Sequence, residues 1–165
     1  MADLVTRAFK AAAVVPGLQH LLLWLFNTHF IVGCTGVILD DAGRALLFHH
    51  TYRTKTAWGT PGGWMRRGES PAAALAREVF EESGFEIEVF GPLAVETDPG
   101  SARMEIIYAA RHAGGEFRAS GEIDEARWFA PGELLPDQMK PLQRRAVEAA
   151  FAMRADNRWP GGGHV

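Results

Sequence analysis

Apolar residues along this chain switch between two spacings, and the switches mark its elements. Residues 30–39 (FIVGCTGVIL) form a β-branched, almost unbroken apolar run, the pattern of a strand buried on both faces. Asp40-Asp41-Ala42-Gly43 reads as a turn and residues 44–49 as a return strand, so a hairpin is expected. After a polar loop over 50–56 the spacing changes. Ala72, Leu75, Ala76 and Val79 recur at three and four residues, one stripe of a helix. Ser70 supplies its N-cap, Pro71 its first position and Gly84 its stop. Residues 85–97 return to a strand pattern broken at Gly91-Pro92, and Asp98-Pro99-Gly100-Ser101 is a turn signal. A strand over 104–110 follows, then a polar loop over 118–126 and a short strand over 127–130. Residues 141–155 read as an amphipathic helix with Leu142, Ala146, Ala149, Ala150 and Met153 inward.

The two ends depart from this alternation. Residues 2–28 read as two helices divided at Pro16-Gly17. The apolar run 21–26 falls short of the roughly 20 residues that cross a bilayer, and no small-residue cleavage site marks a signal peptide. Packing of this run on its own domain or on a second subunit, as in a homodimer, is expected; a membrane partner is not. The tail 157–165 is glycine-rich and reads as disordered. The organisation expected is thus a helical extension (1–28), one domain (29–156) and a tail (157–165).

Composition narrows the function classes. An apolar content of 47%, a charged content of 22% and a net charge of −3 describe a globular protein without the basic field of a nucleic-acid binder. No DNA partner and no attached DNA-binding segment are expected. A single cysteine, Cys34, rules out an intrachain disulfide and a thiolate zinc site; its apolar neighbours place it in a buried strand. A cytoplasmic location is expected.

The candidate chemistry lies off the helical stripe. Glu78, Glu81 and Glu82 stand at i, i+3 and i+4, where like charges cost roughly 0.2–0.5 kcal/mol per pair. Two readings follow from the residues: a solvated acidic face, or a site for a hard cation such as Mg²⁺, which takes carboxylates together with substrate phosphates. Arg77 is placed to hold a carboxylate or a phosphate. Arg53, Lys55, Arg66 and Arg67 flank the loop, as solvated charges or phosphate contacts. Trp58 is either a core indole or a base-stacking surface. His29, His49 and His50 show no ligand spacing.

The full spacing adds a resemblance. Gly63, five residues, Glu69, seven residues and then residues 77–85 (REVFEESGF) resemble the Nudix box at every position that pattern specifies. The preceding Trp58-Gly59-Thr60-Pro61-Gly62-Gly63, and the acidic stretch before Trp128-Phe129, are also similar to that family. The resemblance implies an α/β fold of Nudix type, an α/β/α sandwich with a mixed sheet. It implies a pyrophosphohydrolase acting on a nucleoside diphosphate linked to another moiety, with Mg²⁺ or Mn²⁺. It makes Glu78, Glu81, Glu82 and the Gly62 carbonyl the metal ligands, and Arg77 and Glu69 the residues that orient them. Glu82, Glu81 and Glu122 become the candidates for the general base, with Glu122, preferred to Glu125, delivered by a mobile loop. The substrate stays open among nucleoside triphosphates, nucleotide sugars, ADP-ribose (Pro99 standing near the proline of relatives that cleave it) and capped or triphosphorylated RNA ends. The alternative is a catalytically silent Nudix domain, a nucleotide sensor or protein-interaction module.

Overall fold

The computed structural model describes Thr6 and residues 17–97 and 100–160. The helix expected over 2–15, the Asp98-Pro99 part of the turn and residues 161–165 lie outside them. The chain forms two units, Met1–Phe30 and Ile31–Val165.

In the first unit, helix α1 (Leu18–Phe26) starts at Gly17 and ends where the Asn27 backbone and side-chain N–H groups both donate to the Leu23 carbonyl. None of its residues is buried, and Leu21, Trp24 and Phe26 are exposed. Among the described residues of this unit, none supplies the expected cover for this run. No described helix is long and apolar enough to cross a membrane.

The second unit is built on a seven-stranded sheet: β1 (Ile31–Leu39), β2 (Ala45–His50), β3 (Trp58–Gly59), β4 (Gly62–Trp64), β5 (Phe85–Thr97), β6 (Arg103–Gly115) and β7 (Ile123–Phe129). Its path runs β3-β2-β1-β6-β5, with β4 paired to β1 and β7 to β2. The β1–β6 pair is parallel and the other pairs are antiparallel, so the sheet is mixed. Strand alternation sends side chains to two cores. Cys34, Ile38, Leu46 and Phe48 pack against Ala74, Leu75 and Val79 of helix α2 (Pro71–Ser83). Val37, Leu39 and Leu47 pack on the other side with Ala146, Val147 and Ala150 of helix α3 (Pro141–Ala155). The sheet thus lies between helices, the α/β/α arrangement expected.

Several local expectations change. The β1–β2 hairpin pairs only at Leu39↔Ala45, because β1 gives its edges to β4 and β6 and β2 turns to β7 and β3. Gly91-Pro92 interrupts the register of β5 without ending it. Strand β7 begins four residues early, since Ile123 is a core residue inside a polar stretch. On α3 the inward face carries Gln143 and Val147, whereas Ala149 is exposed. Beyond α3 the described part of the tail, residues 157–160, stays with the domain. Asn157 turns the chain at φ 56, Arg158 N–H donates to the Met153 carbonyl, and Trp159 enters the core.

Candidate active site

Helix α2 is fixed at both ends by its own sequence. Ser70 Oγ accepts from the Ala73 amide at 3.3 Å, a cap worth roughly 0.5–2 kcal/mol, and Gly84 closes the helix at φ 76. Its buried face is Ala74, Leu75 and Val79, with Glu82 and Ser83, rather than the stripe through Ala72 and Ala76. Ser83 satisfies itself by donating to the Val79 carbonyl at 2.6 Å. Glu82, three residues beyond Val79 and seven beyond Leu75, is carried inward with that face. The three box glutamates therefore do not share one solvated patch: Glu82 is 9% exposed, while the Glu81 side chain is 45% exposed.

Arg77 spends every N–H of its guanidinium. Nε and Nη2 grip Glu69 as a fork at 3.0 and 2.8 Å, and Nη2 also reaches the Trp64 carbonyl at 3.2 Å. Nη1 donates to Glu78 at 2.6 Å and to Glu81 at 3.1 Å. Arg66 adds a second fork onto Glu81 at 3.2 and 2.9 Å, and its backbone amide donates to Glu69. The Arg77 fork, then the Arg66 amide, hold the Glu69 carboxyl down at about 2. Glu69, with Arg66, joins the loop to α2 through Arg77 and sets where Glu78 and Glu81 stand.

These groups edge a cavity of about 1140 Å³, and Gly62, Glu78, Glu81, Glu82 and Glu122 all line it. Glu69 and Arg77 stand behind that wall. Glu82 is the anomalous member: burial, then the charges of Glu78 and Glu122, push its carboxyl up to about 8. Its Oε2 is buried without a hydrogen-bond partner among the described residues. Next to it the backbone is stripped of side chains. A Cβ on Gly63 would lie 2.5 Å from the Glu78 carboxylate, and Gly62 takes φ 132 against the Cys34 carbonyl. An orphaned carboxylate, gathered acidic charge and open backbone fit a divalent cation. The described residues hold no group of three His, Cys, Asp or Glu arranged for a metal, because Glu78 and Glu81 face arginines.

Glu122 lines the cavity from a loop that hydrogen bonds tie to Thr51 and Ser120. Thr51 N donates to the Glu122 carbonyl at 2.9 Å, Thr51 Oγ1 to that of Gly121 at 2.9 Å, and Ser120 Oγ receives the Ile123 amide at 3.1 Å. Glu125 lies on β7 opposite His49 and does not line the cavity. Of the flanking basic residues, Arg53 and Arg66 line it and Lys55 and Arg67 do not. Trp58 packs edge-on against Phe129, the core alternative. Cys34 is buried, with its thiol pushed up to about 11 by burial and then Glu69. His49 pairs with Asp124 at 2.6 Å, and His50 is buried. Sequence reasoning missed Thr35, Glu105 and Gln143, a polar cluster on the same cavity; their separations of 70 and 38 residues carry no local signal.

Comparison with known proteins agrees with this geometry. The family model described as NUDIX domain matches residues 29–150. A "MutT-like protein" of Streptomyces ambofaciens is 29% identical over 118 residues, 72% of this chain and 75% of that protein. The "8-oxo-dGDP phosphatase NUDT18" of Homo sapiens is 32% identical over 130 residues, 75% of this chain but 40% of that protein. Among solved structures, a MutT NUDIX hydrolase from Burkholderia pseudomallei superposes with a TM-score of 0.61 at 30% identity, covering 72% of this chain and 95% of its own. The matched region contains the glutamate helix, the glycine strand and the tied Glu122 loop. This chain belongs to the NUDIX family.

Proposed function

We propose that the protein is a metal-dependent pyrophosphohydrolase that cleaves a phosphoanhydride bond in a nucleoside diphosphate linked to another moiety. The observation that carries this reading is the gathering of Glu78, Glu81, Glu82 and Glu122 on one wall of a cavity large enough for a nucleotide. Mg²⁺ (or Mn²⁺), held by Glu78, Glu81, Glu82 and the Gly62 carbonyl, would supply the positive charge a diphosphate needs and lower the pKa of attacking water. Arg77 orients Glu78 and Glu81 with its Nη1, and Glu69 holds Arg77 in turn. Arg53 and Arg66 offer guanidinium groups to phosphate oxygens on the same cavity. The water's proton passes to a carboxylate: Glu122 on its loop, or Glu81 or Glu82 on the helix. Relatives named as an 8-oxo-dGDP phosphatase and a putative 8-oxo-dGTP diphosphatase favour a nucleoside di- or triphosphate as substrate.

Product release across a nucleotide panel, with Mg²⁺ and with EDTA, tests the reading. Turnover is expected with metal only, and Glu81→Gln or Glu82→Gln should lower it a hundredfold or more, the scale of a lost general base (roughly 10²–10⁴). Nucleotide binding with no turnover by the wild type would instead support the sensor alternative.

A further inference from the structure

The loop after β2 carries a cation whose placement the glutamate motif does not explain. The His50 backbone N–H donates to the Ala57 carbonyl at 2.7 Å and closes the loop between them. Arg53 is folded back with that loop and reaches β3 at Gly59. A Cβ on Gly59 would lie 3.0 Å from Gln143 Oε1 and 3.5 Å from both Arg53 Nη1 and His50 Nε2. Three polar atoms, from β2, the loop and α3, thus surround one bare backbone position and take the space a side chain would need.

The three have different hydrogen-bonding capacities. Gln143 Nε2 donates to Glu105 and its Oε1 accepts the Thr60 amide, so that oxygen is fixed as an acceptor. Arg53 only donates. His50 is 1% exposed, and neither ring nitrogen has a hydrogen-bond partner among the described residues. Burial, then the charge of Arg53, disfavour its imidazolium. A neutral ring with its proton on Nδ1 turns a lone pair on Nε2 toward the guanidinium, whereas an imidazolium would set N–H against N–H. On its other side Arg53 Nη2 donates to the Tyr52 hydroxyl at 3.3 Å, and the guanidinium carbon lies 5.4 Å from the centre of that ring. The Tyr52 and His50 rings meet edge-on at 5.8 Å.

The group so held is available for a ligand. Arg53 lines the cavity, its charge acts on the Glu82 carboxyl, and no carboxylate pairs with it among the described residues. Arg66, by contrast, is already forked onto Glu81. His50 itself weakens the fold, as any buried polar ring without a partner does, and residues that break this rule gather at functional sites.

We propose that His50 is a positioning residue for Arg53: its ring, with Gln143 Oε1, holds the guanidinium where it meets the phosphates of a bound nucleotide. The inference rests on the hydrolase reading above for the identity of that ligand. A guanidinium on the phosphates acts in the ground state and the transition state alike, so losing its orientation weakens binding more than it slows the chemical step.

The probe is magnesium pyrophosphate, the phosphates without a nucleoside, titrated calorimetrically into the wild type, His50→Phe, Arg53→Ala and the double variant. His50→Phe should weaken binding about fivefold or more and Arg53→Ala at least as much. The double variant should lose no more than about twofold beyond Arg53→Ala, since His50 acts only through Arg53. His50→Gln, which puts an acceptor oxygen near the place of Nε2, should bind within about twofold of the wild type. Gly59→Ala presses on the same three atoms with His50 in place, and should weaken binding about threefold or more whether or not His50→Phe folds. Wild-type affinity in both His50→Phe and Gly59→Ala would overturn the proposal. So would losses that multiply in the double variant, a His50→Gln no better than His50→Phe, or a wild type that does not bind magnesium pyrophosphate. Turnover of a nucleotide panel is measured alongside, where His50→Phe should raise KM while kcat stays within about threefold. A wild type that shows the pyrophosphate coupling but turns over no nucleotide would contradict the hydrolase reading and leave the role of His50 standing.

Discussion

His50 makes the stability of this domain depend on pH in a way that can be separated from everything else that titrates. It sits at the end of β2, 1% exposed, with both ring nitrogens lacking a hydrogen-bond partner among the described residues. Burial, then the charges of Arg53, His49 and Lys140, disfavour its imidazolium, with Asp124 opposing, and its pKa falls to about 3. An unfolded histidine titrates near 6.5, so between about 3 and 6.5 the unfolded chain binds the extra proton. Stability from this group is intact above pH 6.5 and is lost as pH falls. The slope approaches ~1.4 kcal/mol per unit, so roughly 3 kcal/mol disappears between pH 7.5 and 4.5. The perturbation is His50→Phe, similar in size, unable to titrate and able to keep the edge contact with Tyr52. Urea unfolding of both proteins at pH 7.5 and 4.5, at constant ionic strength, gives a double difference in which distant groups cancel. The variant should gain roughly 3 kcal/mol on the wild type over that interval. At pH 7.5 it should already be no less stable, since a buried unpaired polar group costs roughly 1–3 kcal/mol. A stability gap that stays constant between the two pH values would refute the reasoning.

Other consequences are as direct. Arg77→Lys keeps the charge but loses the fork onto Glu69, so turnover should fall at least about tenfold, with a Tm close to that of the wild type, because an ammonium is a point donor. Glu122→Gln should slow turnover far more than Glu125→Gln with little change in nucleotide affinity, since only Glu122 lines the cavity; equal small effects would remove Glu122 from the site. Ser70→Ala removes the cap of α2 and should lower stability by about 1 kcal/mol in chemical denaturation.

What the sequence disclosed, and what it hid, follows from the range of the forces involved. Helix α2 was legible because its cap, its apolar spacing and its stop are written within fifteen residues. The Arg77–Glu69 fork was within reach for the same reason, as both ends belong to one motif. The depth of Glu82 was not: a helical wheel puts it beside Glu81, and only the seating of α2 on β1 sends one carboxylate inward and leaves the other near water. Ile123 and Trp159 failed differently, each a single core residue set in a polar or glycine-rich stretch whose composition outvoted it. Pairings across the sheet, such as that of β1 with β4 as well as β2, depend on which edges are free and carry no local mark.

The same contrast explains why the reaction class is readable here and the substrate is not. Helices α2 and α3 cover opposite faces of the sheet, yet residues of both line one cavity, because the chain from Thr60 to Gly63 crosses between the two layers. On the reading proposed, this divides a nucleotide between two kinds of protein. Its phosphates meet a continuous motif, where spacing along one helix sets the geometry of Glu78, Glu81 and Glu82 and a single arginine orients two of them. The rest of it meets a wall that holds Thr35, Glu105 and Gln143, one residue from each of three elements, joined by the parallel β1–β6 register and the seating of α3. A change in the first set breaks a constellation whose parts must all be present. A change in the second need only exchange one acceptor for one donor, leaving the fold and the chemistry in place. Glu105→Gln is therefore expected to change the KM for a nucleotide more than kcat, the reverse of what a substitution among the box glutamates should do.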